Sequence, residues 1–489
     1  MFTLLQINII IAGVDQAYDK EAGFWEVKMR YIDFSRPSNV HFIGIGGISM
    51  SGFAELLHNK GFTVTGSDAR PSKITEHLES IGIKCFYPNA AENLPEKCDA
   101  VIYTAAVKSD NPELMAAKSR NIPTLDRADM VGDVMLHYNR NISVAGTHGK
   151  TTTTSMMSLI LLKAGLNPTV SVGGVLDQIG GNVRDGGLGN MVIESCEYTD
   201  SFLKFHPTHA IITNIEAEHL DYFKDLETER GSFRKFALLL PENGLLVIEN
   251  SIPDHKTLFK DIKCPIVTYS ISDTNADYYT KDVSYDEYDR GSFTLMHKGE
   301  ELFSVKLGVV GEHNVSNATG AAAMALGLGI SKEAIIEGLA AFTGTERRFE
   351  KKGEFNGVTI IDDYAHHPTE MTATLKAAKV YPHKNLWCVF QPHTYSRTVS
   401  FKDEICEALS LADKVVLTDI YAAREKDPGT ISSKMLADEI HERFGKEVYY
   451  ISEFPDIEKF LSQKCMPGDV LITMGAGNVV KIGEDLLGG

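Results

Sequence analysis

The chain has 489 residues, 43% hydrophobic and 23% charged, the balance of ordinary globular domains, and at about 150 residues per domain it has room for roughly three. Its 48 basic and 66 acidic residues leave a net charge of −18, which excludes broad non-specific nucleic-acid binding, since that needs an extended basic surface. A small anionic ligand held by a few local lysines and arginines remains compatible with this composition.

Seven cysteines, Cys85, Cys98, Cys196, Cys264, Cys388, Cys406 and Cys465, form no C-x-x-C pair. They read as reduced thiols of a cytoplasmic protein, not as disulfides or a zinc site. No apolar run is long enough to span a bilayer, so no membrane partner is expected. The apolar stretch 7–14 has no basic residue before it and makes a poor signal peptide. Met29 opens a segment that runs directly into the first strand, and translation is expected to start there, with 1–28 an upstream extension.

Along the chain, apolar β-branched runs alternate with helix-period segments, the pattern of parallel sheets with crossover helices. The first unit opens with a strand over 39–43, a glycine loop, a helix over 50–60 and a strand over 62–66. Its loop reads Gly44-Ile45-Gly46-Gly47-Ile48-Ser49, close to the dinucleotide fingerprint, with Ser49 where a third glycine is expected. Asp68 ends the next strand, where a ribose-binding acid would sit. The loop points to a diphosphate-containing ligand and leaves NAD, FAD and a nucleotide sugar open.

The second unit has a strand over 141–145, the loop Gly146-Thr147-His148-Gly149-Lys150-Thr151, and a helix over 151–164 that Gly165 ends. Glycines let consecutive N–H groups turn toward a phosphate, and the helix N-terminus adds positive potential there. Lys150 suits the β and γ phosphates of ATP, and the Thr151 hydroxyl, followed by Thr152, suits Mg²⁺. Only two residues separate the glycines instead of four, so this is a shortened phosphate loop. Strands over 190–193 and 209–213 follow. Glu194 closes the first, and Asn214, Glu218, His219 and Asp221 follow the second, where ligands of open α/β sheets gather. Thr151, Glu194 and His219 are the expected metal ligands. Residues 265–310 read as antiparallel strands inside this unit. The third unit alternates strands near 358–361, 386–391, 414–418 and 469–474 with helices. The expected division is a lead-in over 1–37 and domains over 38–136, 137–344 and 345–489.

In order along the chain, the motifs HFIGIGG (41–47), GTHGKT (146–151), NIEAEH (214–219), GEHNVSN (311–317), ERRF (346–349), DDYAHHPTE (362–370) and QPHTYSR (391–397) resemble those of the Mur ligase family. The resemblance covers about residue 38 to the C-terminus. It implies an α/β protein of three domains: Rossmann-like and UDP-sugar-binding, P-loop ATPase-like and ATP-binding, then Rossmann-like and amino-acid-binding. It also implies roles for individual residues. Asn314 and Asn317, with His313 beside them, match adenine contacts. Arg348 matches an arginine on the ATP phosphates, with Arg347 adjoining. Asp363, Tyr364 and His366 match the junction of ATP and acceptor. Glu197 and Arg397 match contacts on the sugar-substrate side. Lys150, Arg348, Asp363 and His366 are thus the expected catalytic set, with Asp363 or His366 accepting the amine proton.

Within the family, the likeness is to the member that joins L-alanine to UDP-N-acetylmuramate, with ATP as co-substrate and Mg²⁺ as cofactor, in peptidoglycan precursor synthesis. The protein is expected as a monomer or homodimer. The sequence departs from the family pattern at Cys196 and Tyr198, inside a run that is usually more acidic, and at Thr394, where an arginine is common and Arg424 is a candidate substitute. Lys235 lies in the region where sister ligases carry a carbamylated lysine. The rival readings are a recycling ligase that attaches a whole peptide to the same sugar, a nicotinamide-dependent dehydrogenase and a silent nucleotide-binding regulator.

Overall fold

The computed structural model describes residues 14–19, 24–219 and 222–488. The expected start at Met29 concerns a leader largely outside the described residues, and Asp221 lies outside them too. Strands β1 (Val14–Asp19) and β2 (Phe24–Met29) pair antiparallel ahead of the first domain.

The first domain is a five-stranded, all-parallel sheet. It is built from β3 (Asn39–Ile43), β4 (Thr63–Ser67), β5 (Lys84–Phe86), β6 (Ala100–Tyr103) and β7 (Thr124–Asp126) in the order β5-β4-β3-β6-β7. Helices α1 (Ile48–Asn59), α2 (Lys73–Ser80), α3 (Pro112–Ser119) and α4 (Arg127–Met135) provide the crossovers. Buried on both faces, β3 and β6 are nearly continuous apolar runs, as parallel strands are.

The central sheet has ten strands: β8 (Asn141–Ala145), β9 (Thr169–Leu176), β10 (Gly181–Arg184), β11 (Met191–Glu194), β12 (His209–Ile212), β13 (Leu245–Glu249), β14 (Ile266–Ser270), β15 (Tyr278–Tyr285), β16 (Arg290–His297) and β17 (Glu300–Val310). Its heart, β11-β8-β12-β13-β14, is parallel, and β15, β16 and β17 pair antiparallel as expected for 265–310, whereas β14, at the start of that segment, pairs parallel with both β13 and β15. Helix α5 (Lys150–Lys163) lies against this sheet, followed in the chain by α6 (Leu226–Ala237), the one-turn α7 (His255–Leu258), α8 (Glu312–Gly327) and α9 (Lys332–Ala341). Helix α5 has little apolar stripe because it is covered on most sides, by the sheet, α8 and α9. Closest approach falls at Gly338 of α9, where a Cβ would sit 2.5 Å from the Ile160 Cα.

The third domain contains β18 (Glu350–Phe355), β19 (Val358–Asp363), β20 (Leu386–Phe390), β21 (Lys414–Leu417), β22 (Glu447–Tyr450) and β23 (Val470–Met474), ordered β18-β19-β23-β20-β21-β22. All pairs are parallel except the polar edge strand β18. Helices α10 (Pro368–Val380) and α11 (Tyr395–Ser400) begin just beyond the C-terminal ends of β19 and β20. Both glycine loops leave a strand whose neighbours lie on opposite sides in chain order, β3 between β4 and β6, and β8 between β11 and β12. These are the switch points where such sheets bind ligands.

Candidate active site

The phosphate loop is held before any ligand arrives. The Asn214 side chain accepts from the His148 N–H at 2.8 Å and donates to the His148 carbonyl at 3.0 Å. The Thr213 hydroxyl donates to the same carbonyl at 2.6 Å. Asn214 is therefore a clamp on the loop backbone, a correction to its grouping with candidate metal ligands. Gly149 lies at φ 81°, and a Cβ there would meet Asn317 Oδ1 at 2.5 Å, so glycine is required for both reasons.

Lys150 reaches Glu197, with Nζ 3.0 and 3.1 Å from its two carboxylate oxygens. His219 approaches the same carboxylate at 3.6 Å and packs against Tyr198, the rings tilted by 36° with centroids 4.5 Å apart. Burial opposes charge on both Lys150 and Glu197, but their mutual attraction outweighs it, raising the amine and lowering the acid. The sequence expectation put Glu197 on the sugar substrate; the structure instead gives its carboxylate to the phosphate-loop lysine.

The Mg²⁺ ligands can be tested on geometry. The Thr151 hydroxyl donates to Glu194 Oε2 at 2.8 Å. Two neighbouring ligands of an octahedral ion with 2.1 Å bonds lie about 3 Å apart, so this hydroxyl–carboxylate pair has suitable spacing and oxygen chemistry. Gly173 also donates its N–H to Glu194 Oε2 at 2.8 Å, and a Cβ there would come within 2.5 Å of that oxygen. His219 lines the same cavity of about 540 Å³. The residues fit the ion. Glu218, also considered a ligand, is otherwise engaged: it accepts from Arg397 Nη2 at 2.7 Å and Nε at 3.1 Å. Burial pushes Glu218 up, yet Arg397 pulls it down to about 2. Lys235 is exposed on α6, away from the cavity lining.

A second, adjoining pocket is lined by His148, Gly149, Thr151, Thr152, His313, Asn314, Asn317, Arg348 and Asp363. Asn314 and Asn317 are buried on the first turns of α8, and Asn317 donates to Asn314 at 3.1 Å. His313 is lowered to about 4, first by burial and then by Arg348. The adjacent arginines divide their work. Arg347 pairs with Asp362 at 2.9 Å and donates to the Gly475 and Gly477 carbonyls at 2.6 and 3.1 Å, which locks it into the third domain. Arg348 turns into the cavity, 3.6 Å from Glu370 and 5.4 Å from the Tyr364 ring centroid.

Asp363 is buried and pushed up to about 6 by that burial, with Arg348 opposing. Its oxygens accept from the Phe349 and Ala365 N–H groups at 2.9 and 2.7 Å and from Thr374 at 3.1 Å. This carboxylate fixes the loop after β19 and is poorly placed to accept a proton from an amine. His366 lines the larger cavity, with Nδ1 3.0 Å from the Tyr364 carbonyl, which leaves Nε2 as the lone-pair nitrogen. Burial lowers His366 to about 4, so it is neutral at physiological pH.

Two acids inside the motifs NIEAEH and DDYAHHPTE, Glu216 and Glu370, also belong to the site. Glu370 Oε1 meets His148 Nδ1 at 3.2 Å, and Glu216 lies 3.5 Å from His148 Nε2. Burial opposes charge on His148, but these two carboxylates raise it to about 9. The sequence shows all three side chains but not their meeting: Glu216 lies 68 residues beyond His148 in the central domain, and Glu370 comes from the third.

At the front, Gly44 sits at φ 81°, and Asp68 Oδ2 accepts the Gly46 N–H at 2.8 Å. Asp68 thus shapes the loop. Ser49 accepts from Arg127 at 3.3 Å, and Gly47 precedes α1 as its N-cap. Ile48 of this loop reaches the main cavity, joining the first domain to the site. A further cavity of about 430 Å³ lies beside it, lined by Tyr198, His219, Thr394, Arg397 and Arg424, so Arg424 reaches the neighbourhood where Thr394 lacks a cation.

Three family models match in order: the Mur ligase family catalytic domain at 39–139, the Mur ligase middle domain at 144–325 and the Mur ligase glutamate ligase domain at 347–477. The chain belongs to the Mur ligase family. It is 55% identical to the UDP-N-acetylmuramate–L-alanine ligase of Lachnoclostridium phytofermentans over 94% of this chain and all of that one. Identity to the enzyme of the same name from Acetivibrio thermocellus is 50%, over 94% and 98%. Among solved structures it is similar to the UDP-N-acetylmuramate-alanine ligase MurC of Thermotoga maritima, at TM-score 0.79 and 30% identity, covering 92% of this chain and 98% of that one. A murein peptide ligase from Psychrobacter arcticus matches at TM-score 0.70 and 26% identity, over 92% and 98%. Membership of this family of ATP-dependent ligases speaks against the dehydrogenase reading and leaves the regulator reading less supported than the ligase.

Proposed function

We propose that this chain joins L-alanine to the carboxylate of UDP-N-acetylmuramate, forming an amide at the expense of ATP in peptidoglycan precursor synthesis in the cytoplasm. The observation that carries this reading is the cavity where the Lys150 phosphate loop faces Arg348, His366 and Arg397 of the third domain. Its relatives at 50 to 55% identity carry the L-alanine ligase name, whereas the peptide ligase likeness is at 26%.

A carboxylate and an amine do not condense in water, so the carboxylate must first be activated. The muramate carboxylate attacks the γ-phosphorus of ATP, ADP leaves, and an acyl phosphate forms. The L-alanine amine then attacks the acyl carbon, and the tetrahedral intermediate expels phosphate. The work of the protein is positioning and charge stabilisation. Lys150 leaves Glu197 to meet the β and γ phosphates, and Arg348 meets them from the opposite side. Thr151, Glu194 and His219 are the residues that would hold Mg²⁺, which would supply positive charge against the phosphates. Asn314, Asn317 and His313 contact adenine. The front loop, through Gly44, Gly46, Gly47 and Ser49, and with Asp68 behind it, takes the UDP diphosphate. Arg397 faces the acceptor side, and neutral His366 offers Nε2 to the amine proton. Asp363 orients this loop.

ADP release by the purified protein with ATP, Mg²⁺ and UDP-N-acetylmuramate tests the reading. Release is expected only when L-alanine is also present; release with a tripeptide and none with L-alanine overturns it.

A further inference from the structure

Cys196 is the chemically odd member of the site. It follows β11 two residues after Glu194, and its side chain lines the main cavity. A sulfur atom of Cys196, a carboxylate oxygen of Glu197 and a ring nitrogen of His219 all lie within 4.8 Å of one another. Ligands on a tetrahedral zinc lie about 3.3–3.8 Å apart, so modest side-chain rotations close this cluster around one ion. Thiolate, imidazole and carboxylate together favour a soft or borderline dication over Mg²⁺, which prefers oxygen alone.

We infer that Cys196, Glu197 and His219 form a binding site for a thiophilic divalent cation, Zn²⁺ or Cd²⁺, distinct in its ligands from the oxygen-rich Thr151–Glu194 pair. Local charge favours such an ion. With the sulfur ionised, Cys196, Glu194 and Glu197 contribute three negative charges around the single ammonium of Lys150. That ammonium is not stranded when Glu197 turns to a metal, because it also donates to the carbonyls of Gly146 and Thr147. Metal binding displaces the thiol proton to solvent. The fourth position is left to water, since three protein ligands are available among the described residues.

The site has a functional consequence that rests on the ligase reading. A cation there takes His219 from the Mg²⁺ set and Glu197 from Lys150, so Zn²⁺ inhibits turnover. Occupancy itself does not depend on that reading.

The test is a Cd²⁺ titration of the full chain without nucleotide, following the ultraviolet thiolate-to-metal charge-transfer band. One saturable band is expected, retained in excess Mg²⁺ and absent from Cys196→Ser. His219→Ala should weaken the affinity by at least about tenfold. In the unaltered protein, Zn²⁺ should protect the peptide containing Cys196 from alkylation, a readout that needs no variant to fold. A band that survives undiminished in Cys196→Ser, or alkylation of Cys196 unaffected by Zn²⁺, overturns the site. ADP release in Mg²⁺ alone is measured separately, so failure of the ligase reading leaves the Cd²⁺ result interpretable. If both hold, half-inhibition of ADP release by Zn²⁺ should move at least about tenfold upward in Cys196→Ser, each protein being compared with its own Mg²⁺ rate.

Discussion

At the scale of single residues, Lys150 carries the clearest expectation. Its ammonium is already buried against Glu197 and aimed along the phosphate loop. Lys150→Ala should lower ADP release by at least about 10²–10³, the loss typical of removing one preorganised transition-state contact, with the circular dichroism spectrum unchanged. Near-normal turnover would refute its role. Glu229 makes a different prediction. It is fully buried on α6, accepts the Glu218 N–H at 3.1 Å, and is raised from 4.5 to about 8, first by burial and then by the charges of Glu197 and Glu218. Between pH 4.5 and about 8 the folded chain therefore holds a proton that the unfolded chain has lost. Stability falls with pH across that window. Glu229→Gln keeps the shape and the acceptor oxygen and cannot ionise. Urea unfolding should find it gaining on the parent protein between pH 5 and 8; parallel pH profiles would contradict the assignment. Neither the buried proton nor the Glu218–Arg397 pair was legible in the sequence. The partners of that pair are 179 residues apart, and a motif gives no distance between its members and another domain. Lys150, Thr151 and Glu194 were legible because each stands at the end of a strand or the start of the following helix, where order along the chain already fixes place.

At the scale of elements, the parallel strands were readable because burial on both faces makes most of their residues apolar, as in β8, β11 and β12. The β9–β10 pair was not anticipated. Its glycines at 173, 174 and 181 interrupt the alternation that marks a half-buried strand, and they serve close approaches such as that of Gly173 to Glu194. Helix α9 is another case where a glycine has a packing reason. A side chain at Gly338 meets the backbone of Ile160 in α5, which cannot shift without moving the phosphate loop at that helix's start. Gly338→Ala gains helix propensity but should still lose stability, by about 1–3 kcal/mol, through overpacking. Thermal unfolding with and without ATP would measure it. An unchanged midpoint would mean that α9 can slide outward, and the proposed rigidity of the α5–α9 contact would be wrong.

At the scale of the whole molecule, the nucleotide pocket is complete only when the central and third domains are together. Contacts that join them at the site include Glu218 with Arg397 at 2.7 Å and with His367 at 3.7 Å, Thr369 with Glu216 at 2.9 Å, and Glu370 with His148 at 3.2 Å. Acyl phosphates hydrolyse readily, so bringing these walls together also excludes water. The His148 contact makes the arrangement sensitive to pH. Its imidazolium lies between Glu370 of the third domain and Glu216 of the central one, and is raised from 6.5 to about 9. The folded-state value exceeds the unfolded one, so this contribution is fully present below pH 6.5 and is lost as pH rises through about 9. The Glu218–Arg397 pair does not titrate in that range, because Glu218 is held at about 2. Small-angle scattering of the ligand-free chain should thus find a larger radius of gyration at pH 10 than at pH 7. His148→Gln should already be expanded at pH 7 and change less on going to pH 10. If the variant and the parent expand in parallel, the pH response belongs to other groups and the His148 contact is not what holds these two domains together.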